Sequence, residues 1–144
     1  MRDSSPELSR AFADGARSRG VDVTLIGLAS TDGLYYASGA LDLPGAMFTA
    51  SHNPAAYNGI KLCRAGAKPV GEDTGLALIR DEVIAGVPAY DGARGTVRDQ
   101  DVLTEYGDFL RSLVNLTDLR PLRAAVDAGN GMAGHTAPAV LGTI

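Results

Sequence analysis

Thr49-Ala50-Ser51-His52-Asn53-Pro54, continued by Tyr57-Asn58-Gly59-Ile60-Lys61, follows the short apolar run Gly45-Ala46-Met47-Phe48. An apolar run ending in a polar loop reads as a strand that delivers the loop at its C-terminal end, where open α/β sheets hold their ligands. Ser51 is then presented to solvent rather than buried. Beyond the loop, Ile60–Cys63 reads as a second strand, turned at Gly66.

Working outward, helical and extended patterns alternate. Upstream, Val21–Ile26 is rich in β-branched residues and alternates as a strand does. Thr31 or Asp32 can cap a short helix through Leu34, Tyr35, Tyr36 and Ala37. At the start, Ser4 or Ser5 can cap a helix with Pro6 in its first turn, an inner face of Leu8, Ala11, Phe12, Gly15 and Ala16, and a stop at Gly20. Downstream, Glu72 or Thr74 opens a helix whose inner face is Leu76, Ile79, Val83 and Ile84. Gly86–Arg98 reads as an irregular connection. Asp101 caps a helix striped by Val102, Tyr106, Phe109, Leu110 and Leu113, and after the break at Arg120-Pro121, Ala124–Asp127 reads as a new strand. The alternation predicts an α/β sandwich. A boundary is expected near Leu119, dividing the chain into residues 1–118 and 119–144.

Composition narrows the function classes. A chain of 144 residues buries roughly 68–70% of its unfolded surface, enough for one good core. With 45% hydrophobic and 21% charged residues, disorder is not expected. No run approaches the ~18 apolar residues of a membrane span and no leader pattern opens the sequence, so a soluble, cytoplasmic protein without a membrane partner is expected. The single Cys63 reads as a small core residue. A net charge of −4 without a basic stripe argues against nucleic acid. Its distribution is uneven: Leu43–Gly71 has no Asp or Glu but holds Lys61, Arg64 and Lys68, a window of +3 that leaves −7 elsewhere. A positive field around Ser51 suits a small anionic ligand.

On residue types alone, Ser51 beside His52 can be a nucleophile or can make a side-chain turn before Asn53-Pro54. A hydrolase reading lacks the G-x-S-x-G elbow and any nearby carboxylate to complete a triad. A second motif, Val126-Asp127-Ala128-Gly129-Asn130-Gly131-Met132-Ala133-Gly134, satisfies G-x-G-x-x-G, yet the acidic residue that confirms dinucleotide binding belongs ~20 positions on, past Ile144. His135 reads as a helix-start residue.

TASHNP followed by YNGIK resembles the active-site serine loop of the α-D-phosphohexomutases, the phosphomannomutase/phosphoglucomutase family, and the resemblance covers essentially the whole chain. It implies a mixed-sheet α/β/α sandwich, with 1–118 as domain I lacking its N-terminal segment and 119–144 as the first strand and helix of a similar second domain. The glycine-rich motif is then the turn between that strand and helix. By the same resemblance Ser51 carries the transferable phosphoryl group, and that phosphate is also a metal ligand. His52 and Asn53 are adjoining loop positions, with His52 catalytic and Asn53 binding substrate phosphate. Lys61 is a general acid/base or phosphate contact, and Arg2, which resembles the second arginine of a family motif that normally starts a few residues earlier, is a substrate- or phosphate-binding residue. Mg2+ and a hexose 1,6-bisphosphate are the implied cofactors and a hexose phosphate the substrate, with no obligate protein partner. The aspartate-rich Mg2+ loop and the sugar-reading and phosphate-binding domains of the family have no counterpart in these residues. Little or no mutase activity in isolation is therefore expected, with marginal stability and association through Val126, Met132, Val140 and Leu141. The competing class is a truncated non-catalytic product, or an anion-binding module whose serine stays unphosphorylated.

Overall fold

The computed structural model describes residues 2–115, 120 and 122–142. In chain order its elements are α1 (Ser5–Arg17), β1 (Val23–Leu25), α2 (Thr31–Leu41), β2 (Gly45–Phe48), β3 (Ile60–Arg64), β4 (Lys68–Pro69), α3 (Leu76–Ala85), β5 (Val97–Asp99), α4 (Leu103–Ser112) and α5 (Ala133–Leu141). The strands β2, β3 and β4 form an antiparallel sheet, while β1 and β5 pair in parallel, so the fold is a mixed α/β one.

The pleat of β2 explains the layering. Successive side chains leave a strand on opposite faces, so Gly45 and Phe48, three apart, point to opposite sides. Phe48 meets Phe12 of α1 edge-on, ring centroids 5.7 Å apart. On the other face, a Cβ added at Gly45 would lie 2.9 Å from Leu34 of α2 and 3.1 Å from the Cys63 sulfur opposite. The two helices therefore sandwich the sheet, and Gly45 lets α2 approach it closely.

Leu34, Ala37 and Ser38 recur at helical spacing and form the buried face of α2. Ser30, not Thr31 or Asp32, caps this helix, its hydroxyl accepting the Gly33 N–H at 3.0 Å. The buried Ser38 hydroxyl lies 2.7 Å from the Leu43 carbonyl and 3.1 Å from that of Arg64, and it accepts the Ala67 N–H at 3.2 Å. One polar atom thus ties α2 to both sides of the turn between β3 and β4. The second cluster joins α2 to α4, where Tyr36 contacts Tyr106 and Phe109 at 5.5 and 5.2 Å. Asp101 accepts the Leu103 N–H at 2.9 Å at the start of α4, as its position suggests.

Several expectations are corrected. The Ser4 and Ser5 side chains do not cap α1, because their hydroxyls serve the 48–58 segment instead. The buried position of α1 is Ala13, whereas Leu8, Phe12 and Gly15 lie open on the neighbouring stripe. At the end of the stretch read as irregular and one residue beyond it, Val97–Asp99 forms β5, stabilised by pairing with β1 and by Thr96, whose N–H and hydroxyl both donate to the Asp22 carboxylate at 2.7 Å. These bonds hold the Asp22 carboxyl below its usual range. The expected inner face of α3 is bare: Ile84 is 77% exposed and no residue of the helix is buried. Residues 124–127 form no strand, since extended backbone needs a ladder partner and none lies beside them among the described residues.

The boundary expected near Leu119 lies outside the described residues. Beyond it, α5 docks on α4, where Gly107 leaves room for the Ala139 carbonyl and Arg111 donates to the Ala139 and Val140 carbonyls at 2.7 and 3.0 Å. Val126 and Leu141 are exposed as expected, but this docking leaves Met132 and Val140 half-buried.

Candidate active site

The ladder between β2 and β3 runs one step beyond the strands, with the Thr49 N–H donating to the Gly59 carbonyl at 2.9 Å. The intervening loop is built from two short turns, Asn53 N–H to the Ala50 carbonyl at 3.0 Å and Tyr57 N–H to the Pro54 carbonyl at 2.9 Å. Ser51 has φ +47°, a left-handed conformation uncommon for a residue with a Cβ. It is exposed, and its hydroxyl lies 3.0 Å from Nδ1 of His52. That distance permits proton exchange between hydroxyl and imidazole. Asn53 is also exposed beside them.

The start of the chain holds this loop. Arg2 donates from Nη1 to the Pro54 carbonyl at 2.6 Å and from Nη2 to the carbonyls of Ser51, at 2.7 Å, and Asn53. Ser5 donates to the Phe48 carbonyl at 2.9 Å. Asn58 donates to the Ser4 and Ser5 hydroxyls at 2.9 and 3.0 Å and accepts its neighbour's Gly59 N–H at 2.9 Å. Both ends of the loop are therefore fastened to the first turn of α1. Sequence reasoning missed Ser5 and Asn58; the only signal was the Asn58-Gly59 pair, a turn dipeptide.

Lys61 stands opposite Met47 in the ladder, exposed, on the sheet face that also carries Gly45 and Cys63. It is diagonal to Thr49, a separation of about 7–8 Å between backbones. The other two cations of the positive window do not join it. Arg64 and Lys68 pair with each other at the far end of β3, about 13 Å along the strand from Ile60. Arg64 there donates to the Thr74 carbonyl. The structure thus places Ser51, His52, Asn53, Arg2 and Lys61 at one end of the sheet and separates the rest of the window from them.

Around the glycine-rich motif, the Gly129 N–H donates to the Asp127 carboxylate at 2.9 Å and the Gly131 N–H to the Ala128 carbonyl at 2.8 Å. This is a tight turn into α5, with His135 exposed in the first helical turn. No group of three His, Cys, Asp or Glu able to hold a metal is found among the described residues, and no helix among them is long and apolar enough to cross a membrane.

Residues 1–85 match the family model described as phosphoglucomutase/phosphomannomutase, alpha/beta/alpha domain I. The chain is 44% identical over 139 residues to a phosphomannomutase of Escherichia coli, covering 94% of this chain and 30% of that protein. It is 40% identical over 143 residues to a phosphomannomutase of Salmonella montevideo, covering 97% of this chain and 31% of the relative. A crystal structure of a phosphoglucomutase/phosphomannomutase family protein from Burkholderia thailandensis superposes with a TM-score of 0.79 at 33% identity, over 96% of this chain and 31% of that one. The chain spans about a third of the length of the proteins it matches. It belongs to the phosphoglucomutase/phosphomannomutase family.

Proposed function

We propose that this chain carries the phosphoryl-bearing serine of a phosphohexomutase, an isomerase interconverting hexose 1-phosphate and 6-phosphate, of mannose or glucose, through phosphorylated Ser51. The observation that carries the reading is the presentation of Ser51: exposed, left-handed, and within hydrogen-bond reach of His52 at the end of the β2–β3 sheet. In the first half-reaction the bond from Ser51 Oγ to phosphorus breaks as a hydroxyl oxygen of the sugar monophosphate bonds to that phosphorus, and the departing Ser51 oxygen takes a proton from His52, 3.0 Å away. The proton of the sugar hydroxyl passes to a base, the role assigned to Lys61. After the bisphosphate turns round, the reverse step returns a phosphoryl group to Ser51. Asn53 and Lys61 are the proposed contacts to substrate phosphate, whereas Arg2, the third expected contact, has both terminal nitrogens engaged by the carbonyls of Ser51, Asn53 and Pro54.

A phosphoserine brings roughly −1.5 to −2 charges, and a loose transition state needs cations around them. Mg2+ would supply that charge when bound. Its fit to these residues is partial: the loop has no carboxylate, so phosphorylated Ser51 would be its one anionic oxygen ligand there, and most of the other ligands are expected outside the described residues. Residues 1–118 are read as domain I and 119–144 as the opening of domain II, in a cytoplasmic protein, and the isolated chain is expected to accept phosphate without completing turnover.

One observation favours the second reading, a module whose serine is never phosphorylated: of the cations near the loop, Arg2 is engaged with carbonyls, and Arg64 and Lys68 lie elsewhere. Incubation with a hexose 1,6-bisphosphate and Mg2+, followed by mass spectrometry of the tryptic peptides, separates the two. One phosphoryl group on Ser51, absent in Ser51→Ala, supports the mutase reading; an unmodified Ser51 supports the module.

A further inference from the structure

We infer that Arg2 is the positioning residue of the serine loop, holding Ser51 in its left-handed conformation by gathering the carbonyls of Ser51, Asn53 and Pro54 onto one guanidinium. Both terminal nitrogens of Arg2 are occupied by this loop, so three of its five N–H donors serve backbone rather than a ligand. The acceptors are separated from Arg2 by 49 to 52 positions, which makes the clamp a tertiary device and not a local turn.

The carbonyl of Ser51 is the informative acceptor. Its direction depends on the backbone rotation at Ser51, which sits at φ +47° where a Cβ is strained. A strained residue persists only when its surroundings over-determine it. Ser51 is the first central residue of the Ala50–Asn53 turn, whose closing bond is compatible with either sense of the Ser51–His52 peptide, and the Thr49 hydroxyl reaches the Ser51 N–H only at 3.4 Å. Arg2 supplies what they lack, because a planar fork fixes several acceptors at once where an ammonium is a point charge.

This role rests on the mutase reading only for the effect on phosphorylation; the effect on the loop stands alone. The test is hydrogen exchange read by mass spectrometry on the whole chain, with Arg2→Met and Arg2→Lys beside the wild type. Arg2→Met is expected to speed exchange of the Asn53 and Tyr57 amides at least about tenfold, with the α2 amides unchanged. Arg2→Lys should fall between, and added guanidinium ion should restore protection to Arg2→Met alone. In parallel, phosphoryl uptake by Ser51 from a hexose 1,6-bisphosphate should drop in the order wild type, Lys, Met. Loop protection equal to wild type in Arg2→Met overturns the inference. Should Arg2→Met loosen α2 as well, Arg2→Lys decides: a local loss of loop protection supports the fork, and wild-type protection overturns it. Faster loop exchange with no phosphate on Ser51 in any protein leaves the clamp standing and removes the mutase reading.

Discussion

Helices α2 and α3 are nearly equal in length, eleven and ten residues, and both are apolar, yet one is the keystone of the sheet and the other has no buried residue. The difference lies in polar fastening and in what each meets. Helix α2 begins with a side-chain cap, ends with Ser38 bonded across to the β3–β4 hairpin, and sets Leu34 against the notch at Gly45. Helix α3 begins at Gly75 without a side-chain cap and faces solvent with Leu78, Val83 and Ile84. Apolar content marks both as candidates for burial; only shape and hydrogen-bond complementarity select one.

The largest expected effect that sharpens this contrast is at Leu34. Leu34→Ala removes a 6%-exposed side chain from its seat against Gly45 and Cys63, and should cost about 2–5 kcal/mol in urea unfolding. Ser38→Ala should cost less, about 1–3 kcal/mol, because it orphans the Ala67 N–H and the two carbonyls its hydroxyl serves. At the small end, Ile84→Ser on α3 should shift stability by no more than about 0.5 kcal/mol. A loss at Ile84 as large as that at Leu34 would break the comparison, and would mean that α3 is covered in solution.

The same contrast bounds what the amino-acid sequence reveals. The Gly45–Phe48 and Ile60–Cys63 strands and the loop between them were legible because an apolar run, a polar loop with Asn53-Pro54 and a β-branched restart leave few alternatives. The face of α3 was not, since helical periodicity reports which residues share a side and says nothing of whether a neighbour lies there. β5 escaped notice because Val97-Arg98-Asp99 is short and charged, and its pairing depends on β1, 74 positions away. That Ser51 and Lys61 fall at one end of the sheet was legible, whereas the clamp of Arg2 was not: a guanidinium that serves carbonyls leaves no partner residue type to recognise. The positive window illustrates the converse error, for closeness in sequence placed Arg64 and Lys68 beside Ser51 and the hairpin carries them away.

Cys63 is the chain's sole thiol and only 3% exposed, wedged between Gly45 and the underside of α2. It is therefore a built-in clock for the opening of that layer. A thiol reagent can reach its sulfur only when α2 lifts or the β2–β3 ladder parts, so the labelling rate counts those excursions directly, at the sheet that carries the serine loop.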